Sequence, residues 1–176
     1  MTNQGSETIV TGTQTSYRQT AEREIVFERT YDAPREAVFR AFCDPGRIPD
    51  WWGGRDVTTK VESMDVRTGG SWRFTQKDAK GHTHAFGGVY REVQVPKKIV
   101  LTLQYGMPGA PVIEETYDFV ERGTKTVLRV TSNYPSGAAL GGMMGVGMDT
   151  PGPWIEGTRH QWRLERLASV VKGASK

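Results

Sequence analysis

Residues 25–53, with the sequence IVFERTYDAPREAVFRAFCDPGRIPDWWG, decide the fold of this chain. At the start of this stretch Ile25 and Phe27 alternate with other side chains, which predicts a strand exposed on one face. Asp32 and Pro34 predict the start of a helix. An aspartate can accept hydrogen bonds from the free amides there, and proline fits the first helical turn.

A short amphipathic helix is predicted next. Apolar side chains from Val38 to Phe42 recur at helical spacing and form a stripe that must pack on a core. The segment DPG at 44–46 predicts the end of this helix, and a second short helix then leads to the adjacent Trp51 and Trp52. The sequence up to Trp52 therefore predicts the order strand, helix, helix.

Composition and charge narrow the class of protein. A chain of 176 residues has the size of one domain, and its 23 basic and 20 acidic side chains leave a net charge of +3. Because no run of five like charges occurs, we expect no nucleic-acid partner. One cysteine excludes an internal disulfide and favours a reducing compartment. The first ten residues do not resemble a signal peptide and no apolar run is long enough for a membrane helix, so we expect a cytoplasmic protein with no membrane insertion.

The first 23 residues differ in composition from the remainder. Thr, Gln, Ser and Gly dominate this block. We interpret residues 1–23 as a flexible polar tail, or at most a weak added strand, and residues 24–173 as the folded domain.

Beyond Trp52 the apolar pattern changes from helical to alternating and then back to helical. Alternating segments separated by Gly-rich turns predict about six to seven strands, joined mostly by hairpins and therefore antiparallel. The last segment returns to helical spacing, with apolar positions from His160 through Leu164 to Val171. The predicted fold is α+β, in which a curved antiparallel sheet packs against one long C-terminal helix.

Several segments carry a resemblance to a known family. The string APREAVFRAFCDPGRIPDWWG at 33–53 resembles the opening of the activator of heat-shock-protein-90 ATPase homologue family. TGGSWRF at 68–74, GGVYREVQVPKKIVLTLQY at 87–105, GTKTVLRVTSNYP at 123–135 and RLERLASVV at 163–171 match its later landmarks in order. The family belongs to the helix-grip superfamily of lipid-transfer and birch-pollen-allergen-like (SRPBCC) proteins.

The resemblance implies a hydrophobic cavity for a small apolar or amphipathic molecule, with no cofactor. Side chains in phase with the core are the candidate wall, although each of them also suits ordinary core packing. The candidate ligand-binding residues are Trp51, Trp52, Met64, Trp72, Phe74, Tyr90, Leu103, Tyr105, Tyr117, Met143, Met144, His160 and Leu164. Phe42, Phe86, Leu101, Leu128 and Val130 are further wall positions.

Two groups among these candidates carry specific expectations. Two adjacent indoles cannot both point inward from one short helix, so one of Trp51 and Trp52 is expected at the cavity mouth. Met143 and Met144 lie in a segment rich in glycine and methionine, which suits an adaptable gate or a plain connector.

Polar residues distinguish a binding protein from an enzyme. His160, Glu115 and Tyr105 are the candidate catalytic groups, on the expectation that they meet in one pocket. His82 and His84 share a strand face, but no acidic or cysteine partner lies at a telling spacing, so we expect no metal site. No motif for nucleophilic catalysis is present in the sequence.

Three functions stay open at this stage. The first is non-catalytic binding of a small hydrophobic molecule, and the second is a cyclase- or hydrolase-like enzyme that uses the same cavity. The third is a chaperone partner of the kind that the family name implies, which would need an exposed binding face. A homodimer is compatible with all three.

Overall fold

The computed structural model describes residues 8–9, 15–53, 56–106, 109–137, 139 and 156–174, apart from the side chains of residues 8–9, 156–161 and 174. The strands are β1 (Thr8–Ile9), β2 (Thr15–Ala21), β3 (Glu24–Tyr31), β4 (Thr58–Met64), β5 (Ser71–Lys77), β6 (Thr83–Gln94), β7 (Lys98–Tyr105), β8 (Val112–Arg122) and β9 (Lys125–Asn133). The helices used below are α1 (Arg35–Cys43), α2 (Ile48–Trp51) and α3 (Glu156–Ala174).

The strands form one antiparallel sheet in the order β1-β2-β3-β9-β8-β7-β6-β5-β4. From β4 to β9 each strand pairs with the next along the chain, which confirms the hairpin-connected arrangement. The α+β architecture with two short helices after β3 and a long C-terminal helix is also confirmed. The described sheet has nine strands rather than six or seven, because β1 and β2 add to the seven strands that begin with β3.

The N-terminal polar block contributes the strand that was weighed against a flexible tail. Residues Thr15–Ala21 pair with β3, and Tyr17 lies opposite Phe27 with ring centres 5.7 Å apart. The hydroxyl of Thr15 donates a 3.2 Å hydrogen bond to Glu165 of α3. Residues 15–21 are thus attached to both the sheet and the C-terminal helix, whereas the boundary between a tail and a domain at residue 23 stays a prediction.

Helix α1 begins as expected, but with a different cap. Its residue before the first turn is Pro34, with extended backbone, and no side chain caps the helix. The carbonyl oxygen of Pro34 accepts the amides of Ala37 and Val38 instead. The expected capping role of Asp32 is therefore wrong, because proline, with its fixed φ and extended ψ, occupies the position from which a side chain would cap the helix.

Helix α3 buries one side against the other layers. Leu164, Leu167 and Val171 are buried, in agreement with the predicted apolar face. The hydroxyl of Tyr31 on β3 donates a 2.8 Å hydrogen bond to the carbonyl oxygen of Leu164. Burial raises the pKa of Tyr31 far above its ordinary value, so this hydroxyl stays protonated and remains a donor.

Candidate functional site

A cavity of about 20 Å³ lies between helices α1 and α2 and the strands β4 to β8. Its volume suits about one water molecule. The described lining consists of apolar and aromatic side chains with one carboxylate: Phe42, Ile48, Trp51, Trp52, Met64, Trp72, Phe74, Tyr90, Leu101, Leu103, Glu115 and Tyr117. The lining includes residues of α1 and α2 and no described residue of α3.

Most of the predicted wall residues meet at this cavity. Eight of the candidate ligand-binding residues line it: Trp51, Trp52, Met64, Trp72, Phe74, Tyr90, Leu103 and Tyr117. Tyr105 and Leu164 are not part of the described lining. Met143 and Met144 lie outside the described residues, and so does the side chain of His160. Whether any of these residues contacts a ligand stays a prediction.

Both tryptophans of the pair line the cavity. Trp51 and Trp52 have exposed fractions of 3% and 5%. The expectation that one of them lies at the mouth is wrong, because α2 ends at Trp51 and Trp52 has non-helical backbone dihedrals of −85° and 88°. The two indoles are therefore not separated by the 100° step of a helix, and both can turn toward the sheet.

Trp52 is held in place from several directions. Its carbonyl oxygen accepts hydrogen bonds from the hydroxyl of Thr59 (2.6 Å) and the side-chain amide of Gln76 (3.3 Å). Its ring packs edge-on against Phe74 and Phe86, with centres 5.0 and 5.2 Å apart. Edge-to-face contacts of this kind stabilise aromatic clusters beyond their buried area. The cavity wall at Trp52 is therefore continuous with the core of the sheet.

A break in the pairing of β6 with β7 positions Trp72. The indole N–H of Trp72 donates to the carbonyl oxygen of Thr102 at 3.1 Å, and the Thr102 hydroxyl accepts the amide of Val89 at 3.0 Å. A Cβ at Gly88 would lie 1.8 Å from that carbonyl oxygen. Glycine is thus required at 88, because the Thr102 backbone occupies the space of a side chain.

The polar end of the cavity is Glu115. Its strand alternates, so that Ile113, Glu115, Tyr117 and Phe119 all face the interior, and Glu115 is fully buried. The hydroxyl of Tyr117 donates a 2.5 Å hydrogen bond to the Glu115 carboxylate. Tyr90 lines the same cavity, and burial raises the pKa of its hydroxyl well above the ordinary value, which favours a donor rather than a base.

A hydrogen-bond donor is also buried at this cavity. The indole nitrogen of Trp51 is inaccessible to solvent and has no acceptor among the described residues. Buried polar groups of native proteins are almost always paired, so a donor of this kind calls for an explanation. The cavity wall therefore includes an acceptor, Glu115, and a donor whose partner is not found in the described protein.

Arg163 is a buried cation that the sequence analysis did not identify. Its exposed fraction is 2%, and its guanidinium carbon lies 3.9 Å from the centre of the Trp52 ring. A guanidinium at this distance is attracted by the face of the indole. The signal was present in the sequence, since Arg163 is four and eight residues before Leu167 and Val171 on the buried face of α3.

An ion pair joins β3 to α3. Arg29 is 8% exposed and forms an ion pair with Glu165, and its guanidinium carbon lies 5.4 Å from the centre of the Tyr31 ring. Arg29 shares the inward face of β3 with Ile25, Phe27 and Tyr31. This contact attaches the middle of α3 to the sheet and is separate from the cavity lining.

A group of polar side chains surrounds the turn between β5 and β6. Nε2 of His84 and Nδ1 of His82 lie 3.1 and 3.3 Å from the same carboxylate oxygen of Asp78, and Nδ1 of His84 is hydrogen-bonded to the hydroxyl of Tyr105. The hydrogen bond from His84, and then those from the amides of His82 and Lys80, lower the pKa of Asp78 to about 2. Asp78 is therefore a carboxylate at neutral pH. The spacing along the sequence gave no sign of this partner for the two histidines.

A shallow groove of about 570 Å³ lies on the outer side of α1. Glu36, Phe39, Arg40, Cys43, Asp44, Val95 and Pro96 line it. Burial raises the pKa of the Cys43 thiol to about 12, so this side chain acts as a small apolar group at neutral pH.

The described part of the chain contains neither a membrane-spanning helix nor a cluster of metal-ligating side chains. None of its helices is long and apolar enough to cross a bilayer. Within the same residues, no three or more His, Cys, Asp or Glu side chains are arranged to hold a metal ion.

Comparison with protein families identifies the chain's relatives. The family model described as activator of Hsp90 ATPase homolog 1-like protein (AHSA1) matches residues 32–165, which is most of the chain and includes the cavity lining. The chain belongs to this family. The AHSA1-like match begins at Asp32 and ends at Glu165, so it contains α1, α2 and the strands from β4 to β9. A comparison with curated proteins found no match.

Solved structures share the AHSA1-like fold. A protein of Chromobacterium violaceum is 25% identical, with a TM-score of 0.72, and the match covers 86% of this chain and 99% of that one. A protein of Rhodobacter sphaeroides is 16% identical, with a TM-score of 0.77 and coverage of 90% and 99%. An AHSA1-like protein of Aeromonas hydrophila is 18% identical, with a TM-score of 0.64 and coverage of 86% and 94%.

Proposed function

We propose that this protein binds a small amphipathic molecule in the cavity between α1, α2 and the sheet, without changing it chemically. The observation that carries the proposal is an aromatic wall around one buried carboxylate, Glu115. Ligand pockets are commonly apolar with a few polar groups that fix the orientation of the ligand. The AHSA1-like fold is consistent with binding of this kind.

The polar groups at the cavity suggest the chemistry of the ligand. Glu115 accepts the hydroxyl of Tyr117, and the buried N–H of Trp51 has one hydrogen bond to donate. A hydroxyl group can satisfy both, since it donates one hydrogen bond and accepts others. An ammonium group has no lone pair and would leave the Trp51 donor unpaired, and a carboxylate would carry its own charge into an apolar cavity at a large desolvation cost. We therefore expect a neutral alcohol or phenol with an apolar body.

Binding requires movement of the wall. A volume of about 20 Å³ is too small for an organic molecule, so a ligand must displace side chains. The strands β5 to β8 are fixed by hydrogen-bonded neighbours on both sides, whereas β4, which carries Met64, is an edge strand and α2 is a helix of four residues. We infer that α2 and the flexible Met64 move outward. Burial of each methylene group of the ligand contributes about 0.8 kcal/mol of favourable free energy, which offsets the free-energy cost of that movement.

The first experiment is native mass spectrometry of freshly purified protein, followed by denaturing analysis of whatever is released. Titration calorimetry with decanol, decylamine and decanoate then compares three head groups on one apolar chain. We expect one ligand per chain and the tightest binding for decanol, by about tenfold. If no molecule co-purifies and none of the three probes binds saturably, the proposal is wrong.

Two tryptophan variants test the role of the head group. Trp51→Phe removes the buried donor and keeps an aromatic ring, so the preference for decanol over decylamine should disappear. Trp72→Phe is the matched control, because the Trp72 N–H is already bonded to Thr102. This variant should keep the preference even where its stability is lower. Equal head-group selectivity in both variants would show that Trp51 does not contact the ligand.

A further inference from the structure

The turn between β5 and β6 holds a carboxylate in a fixed position. One oxygen of Asp78 accepts the amides of Lys80 and His82, each at 2.9 Å. The turn is closed by Gly81, which has a φ of +85° and donates its amide to the Asp78 carbonyl oxygen. The other oxygen of Asp78 is left for the imidazoles of His82 and His84. The backbone amides of the turn therefore hold the Asp78 carboxylate in position without any side-chain partner.

The register of the sheet brings His84 to Tyr105. Phe86 of β6 pairs directly with Tyr105 of β7, and His84 lies two residues before Phe86 on the same face. Diagonal neighbours on one face are within reach of long side chains. Gly106 keeps this end of the two strands close, because a Cβ there would lie 2.9 Å from that of Ala85. The hydroxyl of Tyr105 and Nδ1 of His84 form a hydrogen bond as a result.

The hydrogen bonds assign the imidazole tautomer. A carboxylate can only accept a hydrogen bond. Nε2 of His84 therefore carries a proton, and this N–H donates to Asp78 at 3.1 Å. In the neutral ring Nδ1 then has a lone pair, and the Tyr105 hydroxyl is the donor. Carboxylate, imidazole and hydroxyl follow one another in the order that activates a nucleophile in hydrolases.

We propose that Asp78, His84 and Tyr105 form a second reactive site, separate from the cavity, which hydrolyses small activated esters. The Tyr105 oxygen attacks the carbonyl carbon while its proton passes to Nδ1 of His84. The tetrahedral intermediate expels the alcohol or phenol, which takes that proton, and an acyl-tyrosine remains. Water, deprotonated by His84, then attacks the acyl carbon and releases the acid, and the Tyr105 oxygen recovers its proton.

Each residue has a distinct role in this sequence. Tyr105 forms the covalent bond, and His84 carries the proton between nucleophile, leaving group and water. Asp78 is a positioning residue that holds the tautomer and stabilises the imidazolium formed in each step. His84 and Tyr105 are both half-buried, so a small substrate can approach from solvent. The Tyr105 ring packs edge-on against Phe86, with centres 4.9 Å apart, which keeps it in place.

The test uses the full-length chain and p-nitrophenyl acetate. We expect release of p-nitrophenol and, in protein quenched early, one acetyl group on Tyr105 that peptide mass spectrometry locates. This part needs no variant, so it is informative even if substitutions prevent folding. Acetylation confined to lysines or the N-terminus, with Tyr105 unmodified, would overturn the proposal.

Variants then separate chemistry from structure. Tyr105→Phe keeps the ring on Phe86, and His84→Gln keeps a polar side chain, and each should lower the rate by about a hundredfold. Tyr17→Phe is the matched control for the loss of a phenol hydroxyl and should react like the wild type. In Asp78→Asn the acid limb of the pH–rate profile should move to lower pH, a change that a structural role would not produce. Wild-type rates in both Tyr105→Phe and His84→Gln would also overturn the proposal.

Discussion

The guanidinium carbon of Arg163 lies 3.9 Å from the centre of the Trp52 indole ring, and both side chains are buried. This contact joins the C-terminal helix to the wall of the cavity, which otherwise has no described residue of α3. A cation on an aromatic face keeps part of its stabilisation when water is excluded, because the ring replaces some of the lost hydration. The contact between Arg163 and Trp52 thus couples the position of α3 to the shape of the cavity.

A double-mutant cycle measures this coupling. We expect Arg163→Met and Trp52→Leu each to lower the free energy of unfolding, and the double variant to lose less than their sum by about 1–2 kcal/mol. Urea unfolding of the four proteins gives the values. The cycle cancels the contributions that each residue makes to stability through its other contacts, so that the interaction energy of the Arg163–Trp52 pair remains. Additivity within about 0.3 kcal/mol would mean that the contact carries no net energy.

The turn carboxylate Asp78 predicts a specific dependence of stability on pH. Its pKa falls from an ordinary value of 3.8 to about 2 in the folded protein, chiefly because of the hydrogen bond from His84. The native state therefore binds fewer protons than the unfolded state, so this contribution is full above about pH 4 and is lost as the pH falls through about 2.

Asp78→Asn tests this contribution, because asparagine does not titrate. The difference in unfolding free energy between wild type and variant should shrink as the pH falls from about 4 toward about 2. Chemical unfolding at several pH values provides the measurement. A difference that is independent of pH over this whole range would show that the carboxylate charge does not stabilise the turn.

The fold was predictable because most strands carry a clear alternation. From Glu24 onward the sequence predicts seven strands, and the structure has seven in that part of the described chain. Strand β2 was harder to recognise, since TSYRQTA at 15–21 has one large apolar side chain, Tyr17. A strand that packs on the core through one aromatic side chain has almost no hydrophobic alternation in its sequence.

The cavity wall was predictable for the same reason, whereas the polar sites were not. Alternation places Trp72, Phe74 and Tyr117 on the inner face, but it gives no distance between strands. His84 and Tyr105 meet because of the register of β6 against β7, which a hydrophobic pattern does not reveal. Arg163 was not identified from the sequence, although its helical phase is that of Leu167.

The N-terminal strand predicts a loss of stability on truncation. Deletion of residues 1–22 removes β2, exposes the edge of β3 and separates Tyr17 from Phe27. Burial of an aromatic side chain and its ring contact are together worth at least about 2 kcal/mol. Deletion of residues 1–14 is the matched control, since it keeps β2, and it should cost at most about 0.5 kcal/mol. Equal unfolding free energies for the two truncated proteins would show that β2 does not stabilise the sheet.

The thiol of Cys43 predicts slow alkylation in the folded protein. Burial raises its pKa to about 12, so almost none of it is thiolate at about pH 8. We expect iodoacetamide to react with Cys43 roughly a hundredfold or more slowly than with a free thiol. In urea the reaction should reach the rate of a free thiol. Because the chain has one cysteine, intact-mass spectrometry follows this site alone, and Cys43→Ala is the blank. Equal rates in native buffer and urea would contradict the burial of this side chain in the folded protein.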